Sequence, residues 1–539
     1  MILKKFLMDA AGVFTNYKFL VILLLNTLFF TVAAHLLPIQ YEENDDIVML
    51  FLASGMYSGI PEPHLVFINY IYGLFVTFLY NNFSGLEWYT IIFVVLHVIS
   101  LSVLIWDIVR KNIKFYWKIA FIVLFYVIEV RLIILFQFTT TAALVSLAGI
   151  CLICSEKWLQ KLSGFLLFLI GFLIRMEASL LVLFTMTPFI LIHFVQNKKI
   201  VFSKTIIFLC AVLFTAGICK YIDYCSYNND KDWSYYYNYN KIRGSISDNP
   251  NTSSISVDKL SDNVSSVDYH LFLNTFPDPS VFNLENLLLI KEQIELIGFS
   301  QKLQNIYPSL RKYTLFLSII AVLSFIIGVT LNKRGRCALV VLNVIFFFVL
   351  CYISLDGTLK YRVFLSTLLA YLFTLFYTLQ YKKYKSSWLD GFSLLCVFSF
   401  VIIFSVRTHR IVVLRDEYRN REFVEQKLLI NSCLNKTSKK IVAFRADLTV
   451  EYYHPFSVSV NGNKNRFRFL GWLTANPLNK DISSFVDLIG QYALFISKKE
   501  MDGVPVNISE SIFLNHGISV HHKIEFESEN YAIVTFEKK

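Results

Sequence analysis

The stretch Tyr41-Glu42-Glu43-Asn44-Asp45-Asp46 places two adjacent aspartates directly after a long apolar run, and a turn-forming Gly59-Ile60-Pro61-Glu62-Pro63-His64 follows. A carboxylate at a membrane boundary needs water, a metal or a cationic partner, because desolvating it costs several kcal/mol. Two like charges in sequence also repel, which raises the need for compensation. Glu129, Arg131, Arg175, Glu177, Asp356, Lys360 and Arg362 stand near the ends of other apolar runs. Such a set suits a reaction in which Arg or Lys holds a phosphate while a carboxylate takes the proton of a hydroxyl acceptor. The same residues also read as ordinary interfacial caps and ion pairs, and spacing alone does not separate the two.

The elements that must position these groups are membrane helices. The 539 residues are 55% hydrophobic, include 51 phenylalanines and have a mean hydropathy of +0.54, too apolar for an ordinary soluble chain of this length. Apolar stretches of about 20 residues, enough to cross a hydrocarbon core as helices, recur over the first four hundred positions. The short alternating segments of a membrane β-barrel are absent. The net charge of +11 does not point to nucleic acid, because Lys and Arg cluster in short pieces between apolar runs. These are Lys4-Lys5, Arg110-Lys111 with Lys114 and Lys118, Lys157 with Lys161, Lys198-Lys199 with Lys204, Lys333-Arg334 with Arg336, and Lys382-Lys383 with Lys385. One alternation of spans places all of them in the cytoplasm.

That alternation predicts an all-α polytopic membrane protein with about eleven transmembrane helices, near 18–38, 88–109, 117–130, 134–154, 162–175, 177–196, 205–222, 313–331, 337–355, 363–380 and 388–406. The N-terminus is then inside, and the first run is a retained helix rather than a cleaved signal. Residues 39–87 form a first outer loop in which 47–57 and 62–80 are helices lying at the outer membrane face. Counting 62–80 as a span would put every later basic cluster outside. A second outer loop, 223–312, contains a Ser/Asn/Asp-rich piece from Ser245 to Val267 expected to be mobile. Residues 407–539 read as a small extracytoplasmic α/β domain, with a polar helix over Arg415–Leu434 and strand-like runs at 440–444 and 531–536.

Within the second outer loop, Trp233, Tyr236 and their neighbours through Tyr239 offer rings that stack on sugar faces, or pack a loop on the membrane surface. Arg243, Asp248, Asp268 and His270 follow on the same loop without a spacing that assigns them. His64 and His97 make no ligand pattern with another histidine. The nine cysteines lie mostly in apolar runs, and Cys151 and Cys154, the only close pair, read as packing.

The acidic motif after the first span, the Gly-x-Pro-x-Pro-type turn, the apolar stretch behind it and the aromatic entry Glu87-Trp88-Tyr89 into the second span resemble the GT-C superfamily of polytopic, polyprenyl-phosphate-dependent membrane glycosyltransferases. The order is similar to that of protein O-mannosyltransferases and aminoarabinose transferases, and extends coarsely over 1–406. The resemblance implies an extracytoplasmic active site in the cell membrane, with Asp45 or Asp46 as catalytic base. It implies Glu129 as an assistant or, with Asp46, a contact for a divalent metal. It also implies Arg131, Arg175 and Arg362, joined by Lys360, as holders of the carrier phosphate. The pair is Asp-Asp rather than the Asp-Glu of the mannosyltransferases, and no Trp-Trp-Asp motif of oligosaccharyltransferases occurs. The implied partners are a polyprenyl-phosphate-linked sugar donor and a glycan, teichoic-acid-like or lipid-linked acceptor. Two rival readings are an envelope polysaccharide polymerase, which would yield a ladder of products, and a transporter or flippase. The mid-span positions are mostly apolar and no half-to-half repeat is evident, which ranks the transporter last.

Overall fold

The computed structural model describes residues 17–196, 199–249, 251–255, 264–296, 299–357, 359–383, 387–418, 424–443, 455–456 and 465–539. The chain is mostly helical, with a small sheet region at its C-terminal end. Among the described residues six helices are long and apolar enough to cross a membrane: Tyr17–Leu36, Trp88–Arg110, Lys204–Asn228, Lys333–Leu355, Tyr361–Tyr381 and Trp388–Leu414. A seventh span is available if Lys302–Arg311 and Thr314–Thr330, bent by 83°, act as one. Helices stand at the other expected positions as well, but Phe138–Ile153, Trp158–Ile174 and Met176–Thr185 are short. The expected helix 177–196 is split at Met186.

Packing explains why short helices suffice at the centre. Every residue of Phe138–Ile153 is buried, and the helix lies against Trp158–Ile174 backbone to backbone. A Cβ added to Gly149 would lie 2.6 Å from the Phe168 nitrogen, and one on Gly164 would lie 2.6 Å from the Gly149 oxygen. Glycine at both crossing points is what permits this approach. A polar tie joins Tyr17–Leu36 and Trp88–Arg110 to the helix Phe115–Ile134: Asn26 donates to Ser102 at 2.8 Å, and Tyr126 donates to Asn26 at 2.6 Å.

The segment after the first span, expected as an outer loop, differs from expectation in one respect. Helices form over Asn44–Ala53 and Tyr70–Asn82, but residues 59–69 between them run as turns and irregular backbone. Pro61 and Pro63 lack the N–H a helix needs, and Val66 takes a positive φ of 69°. The helix restarts only where the Asn69 side chain accepts from the Ile71 N–H. Within the expected mobile stretch Ser245–Val267, residues 250 and 256–263 lie outside the described ones. Its flanks are ordered in the helices Lys231–Ser247 and Ser266–Leu273.

The boundary expected at 407 falls inside a helix, because Ser387–Tyr418 continues through it for about three turns. Beyond it, β3 (Lys440–Ala443), β4 (Phe467–Phe469), β5 (Tyr492–Ser497), β6 (Val520–Glu527) and β7 (Tyr531–Lys538) form one sheet in the order β4-β3-β5-β7-β6. β3 is parallel to β4 and β5, while β7 is antiparallel to β5 and β6. In β5, Ala493 and Phe495 meet the helix Val424–Lys436, while Leu494 and Ile496 join the core under Val504–His516. Cover on both faces accounts for its unbroken apolar run.

This C-terminal unit is not detached from the helices. Tyr57, in the segment after the first span, donates to Asn479 at 2.5 Å and accepts from the Phe469 N–H at 3.1 Å. Thr90 donates to the Pro455 carbonyl at 2.6 Å, and Tyr236 donates to the Trp472 carbonyl at 3.1 Å.

Glu87, next to the helix start at Trp88, is buried against the Tyr80 hydroxyl. Burial pushes its carboxyl from the ordinary 4.5 up to about 7, against the lowering effect of the Tyr80 hydrogen bond. A folded state that holds this proton more tightly than the unfolded chain is favoured at low pH, and that contribution fades as pH rises from 4.5 through 7. Wild-type thermal stability is therefore expected to fall across this window by up to roughly 3 kcal/mol relative to Glu87→Gln. Melting curves of both proteins at pH 4.5 to 8 check this; parallel curves would exclude it.

Candidate active site

The site begins with two short strands. β1 (Gln40–Tyr41) lies parallel to β2 (Leu135–Phe136), and the Glu42 N–H donates to the Phe136 carbonyl at 2.8 Å. This pairing sets the starts of the helices Asn44–Ala53 and Phe138–Ile153 side by side. The first N–H groups of a helix have no partner within it. Here the Gln137 side chain accepts from Thr139 and Thr140, while Asp46 Oδ1 accepts from the Phe138 N–H at 3.1 Å. The same Asp46 oxygen accepts from the Tyr89 hydroxyl at 3.0 Å. Asp46 is fully buried. Burial pushes its carboxyl well above the usual range, and neighbouring Asp45 pushes it further, while Tyr89 and Phe138 pull against both.

Asp45 and Asp46 therefore have different surroundings. Asp45 is only partly buried and stands among Arg362, Arg175 and Lys360. Burial raises its carboxyl, Arg362 is the strongest opposing influence, and Glu43 adds to the rise. Of the two aspartates, only Asp45 is reached by solvent.

The surrounding cations already have carboxylate partners, and their exposure separates them. Arg131 pairs with Glu42 at 3.4 Å and lies over the Tyr361 ring, with both charged groups largely buried. Arg362 pairs with Glu43 at 3.0 Å. Arg175 pairs with Glu177 at 2.9 Å and lies over Phe67 and Phe138, and Lys360 pairs with Asp248 at 3.0 Å. Glu177 and Asp248 are exposed, so exchanging them for a bound phosphate costs little. Breaking the buried Arg131 pair costs more. Arg175 and Lys360 are thus the cations most available to a ligand.

A cavity of ≈ 510 Å³ opens beside this cluster, lined by Phe67, Arg175, Glu177, Lys220, Tyr236 and Asp248 among others. Arg243, whose guanidinium bonds Asn240 at 3.0 Å, stands close enough to feel both Asp45 and Asp248. Burial lowers its basicity, while nearby tyrosines and carboxylates favour its charge. Lys220 and Tyr227, which the sequence did not single out, belong to the same wall together with Tyr237 of the aromatic cluster. Lys220, two residues before the end of the expected span at 222, was the available signal for a basic group at that helix end.

Other expected residues take different places. Glu129 is not in the cluster: it bonds His97 Nδ1 at 2.6 Å, and His97 Nε2 meets Thr141 at 2.9 Å, all buried inside the helices. Asp46 is committed to Tyr89 and Phe138, and among the described residues no group of three His, Cys, Asp or Glu is arranged to hold a metal ion. A ligand pair of Asp46 and Glu129 thus has no geometric support. Trp233 stacks on His64 with centroids 4.3 Å apart, and Tyr236 is fully buried. These rings pack the helix Lys231–Ser247 onto the segment around His64, and Tyr236 also lines the cavity. The Asp356 side chain lies outside the described ones. All nine cysteines are unbridged.

The two aspartates should separate by experiment. Asp46→Ala strands the Tyr89 hydroxyl and the Phe138 N–H, and is expected to destabilise the protein by about 2–5 kcal/mol. Asp45→Asn should leave the melting temperature close to wild type. Thermal unfolding of the detergent-purified variants decides the matter; equal melting temperatures would remove the anchoring role from Asp46.

No family model, curated protein or solved structure matches the chain.

Proposed function

We propose that the protein is a membrane glycosyltransferase of GT-C-like architecture with about eleven spans. It moves a sugar from a polyprenyl-phosphate donor to a cell-envelope glycan or lipid-linked acceptor on the outer face, where the C-terminal unit also lies. The observation that carries this reading is Asp45, a partly buried carboxylate standing among Arg362, Lys360 and Arg175, the last of which lines a cavity of ≈ 510 Å³.

In this mechanism Asp45 takes the proton of the acceptor hydroxyl as its oxygen bonds to the anomeric carbon. The bond from that carbon to the donor phosphate oxygen breaks with its electron pair, giving oxocarbenium character at the sugar and negative charge on the leaving phosphate. Arg175 and Lys360 leave their exposed carboxylate partners to receive that charge. Arg362 keeps Asp45 ionised, and a single displacement inverts the sugar. The lipid carrier makes a nucleotide-binding loop unnecessary.

Transfer of labelled sugar from a panel of polyprenyl-phosphate sugars tests the reading. Asp45→Asn should lower turnover about 10²- to 10⁴-fold, with folding preserved. Unchanged transfer would overturn the assignment of the base, and a ladder of products would indicate a polymerase. The base works ionised, so activity should rise with pH through the elevated Asp45 value. Arg362→Gln removes the main influence holding that value down and should move the acid limb of kcat/KM to higher pH. An unmoved limb would dissociate Arg362 from Asp45.

A further inference from the structure

A second feature lies at the opposite end of the helices. The helix Lys333–Asp356 has 24 residues, about 36 Å at 1.5 Å per residue. Its far end leads to Lys360 and Arg362, so Lys333 and Arg334 mark the membrane boundary away from Asp45. There a cavity of ≈ 390 Å³ is bounded by Lys333, Arg334, Cys337 and Val341 on this helix, by Leu191 on the helix Thr187–Gln196, and by Tyr381. Its wall below the cations is apolar, continuing through Pro188, Ile192 and Ala338. From Lys333 to Val341 it descends about 12 Å into the hydrocarbon depth of a helix apolar enough to span.

The cations at its mouth differ from others at this end. Arg110 and Lys111 share Asp107, and Lys114 and Lys382 share Asp390. Among the described residues, Lys333 and Arg334 have no carboxylate partner, and both are exposed. Two uncompensated cations above an apolar cleft match an anionic head joined to a hydrocarbon chain.

We propose that this groove binds one anionic diacyl phospholipid. Its phosphate rests on Lys333 and Arg334, and one acyl chain lies along Leu191, Ile192 and Val341. The occupant is a bilayer lipid rather than a soluble phosphate, because the walls below the charges offer only apolar surface. The site is separate from the Asp45 cavity and does not depend on the transfer reaction.

Cys337, exposed and on the groove wall, reports occupancy directly. The full-length protein is placed in nanodiscs of phosphatidylcholine alone or with phosphatidylglycerol, and alkylation of the Cys337 peptide by N-ethylmaleimide is followed by mass spectrometry. Phosphatidylglycerol should slow wild-type alkylation at least about threefold beyond its effect on Lys333→Gln/Arg334→Gln, which experiences the same bilayer surface charge. Val341→Trp, which fills the groove but keeps the cations, should abolish retention of phosphatidylglycerol in native mass spectra of the detergent-solubilised protein. Equal slowing in wild type and the double variant, or retention unaffected by Val341→Trp, would overturn the proposal.

Discussion

Much of the architecture around the cavity depends on one buried carboxylate. Asp46 accepts from the first N–H of the helix Phe138–Ile153 and from Tyr89, and so joins the segment after the first span to two helices that are tied to each other deeper down by His97 and Thr141. A buried acid is costly, and the structure offsets that cost with two donors and a helix N-terminus. Because Asp46 is fixed, its neighbour is fixed too. Successive residues on a helix point about 100° apart, so anchoring one side chain inward turns Asp45 out toward Arg175, Lys360 and Arg362.

Electrostatics then grades the cluster. The carboxylates Glu42, Glu43, Glu177 and Asp248 neutralise the surrounding cations in the absence of substrate, which keeps a basic cavity from being a charge trap at the membrane face. Partners that are exposed can leave cheaply, and partners that are buried cannot. A ligand phosphate would therefore select Arg175 and Lys360 while Arg131 stays with Glu42. The β1–β2 pairing, two residues on each strand, is small, yet it holds the chain just before each of these helices at one register.

Hydropathy made the helices legible because an apolar run of spanning length has few other physical outcomes. It did not reveal where a helix ends: Ser387–Tyr418 loses its apolar character near 406 but keeps its backbone hydrogen bonds. The turns at 59–69 were hidden by apolar side chains, although Pro61 and Pro63 already forbade a regular helix there. The motif around Asp45 and Asp46 stood out in the sequence, but the division of labour between them did not, since it follows from contacts with residues 43 and 92 positions away. Glu129 is a similar case. Its end-of-helix position suggested the outer face, and only its pairing with His97 shows that it serves the interior.

The Tyr57 contacts with Phe469 and Asn479 close a loop of more than four hundred residues. Chain emerging from a ribosome makes the segment after the first span early and its sheet-side partner last. Until β4 and the turn around Asn479 arrive, the Tyr57 hydroxyl lacks both of these partners. The donors that hold Asp46, Tyr89 and Phe138, are made long before them, so the aspartates can be seated while the surface behind Tyr57 is still open.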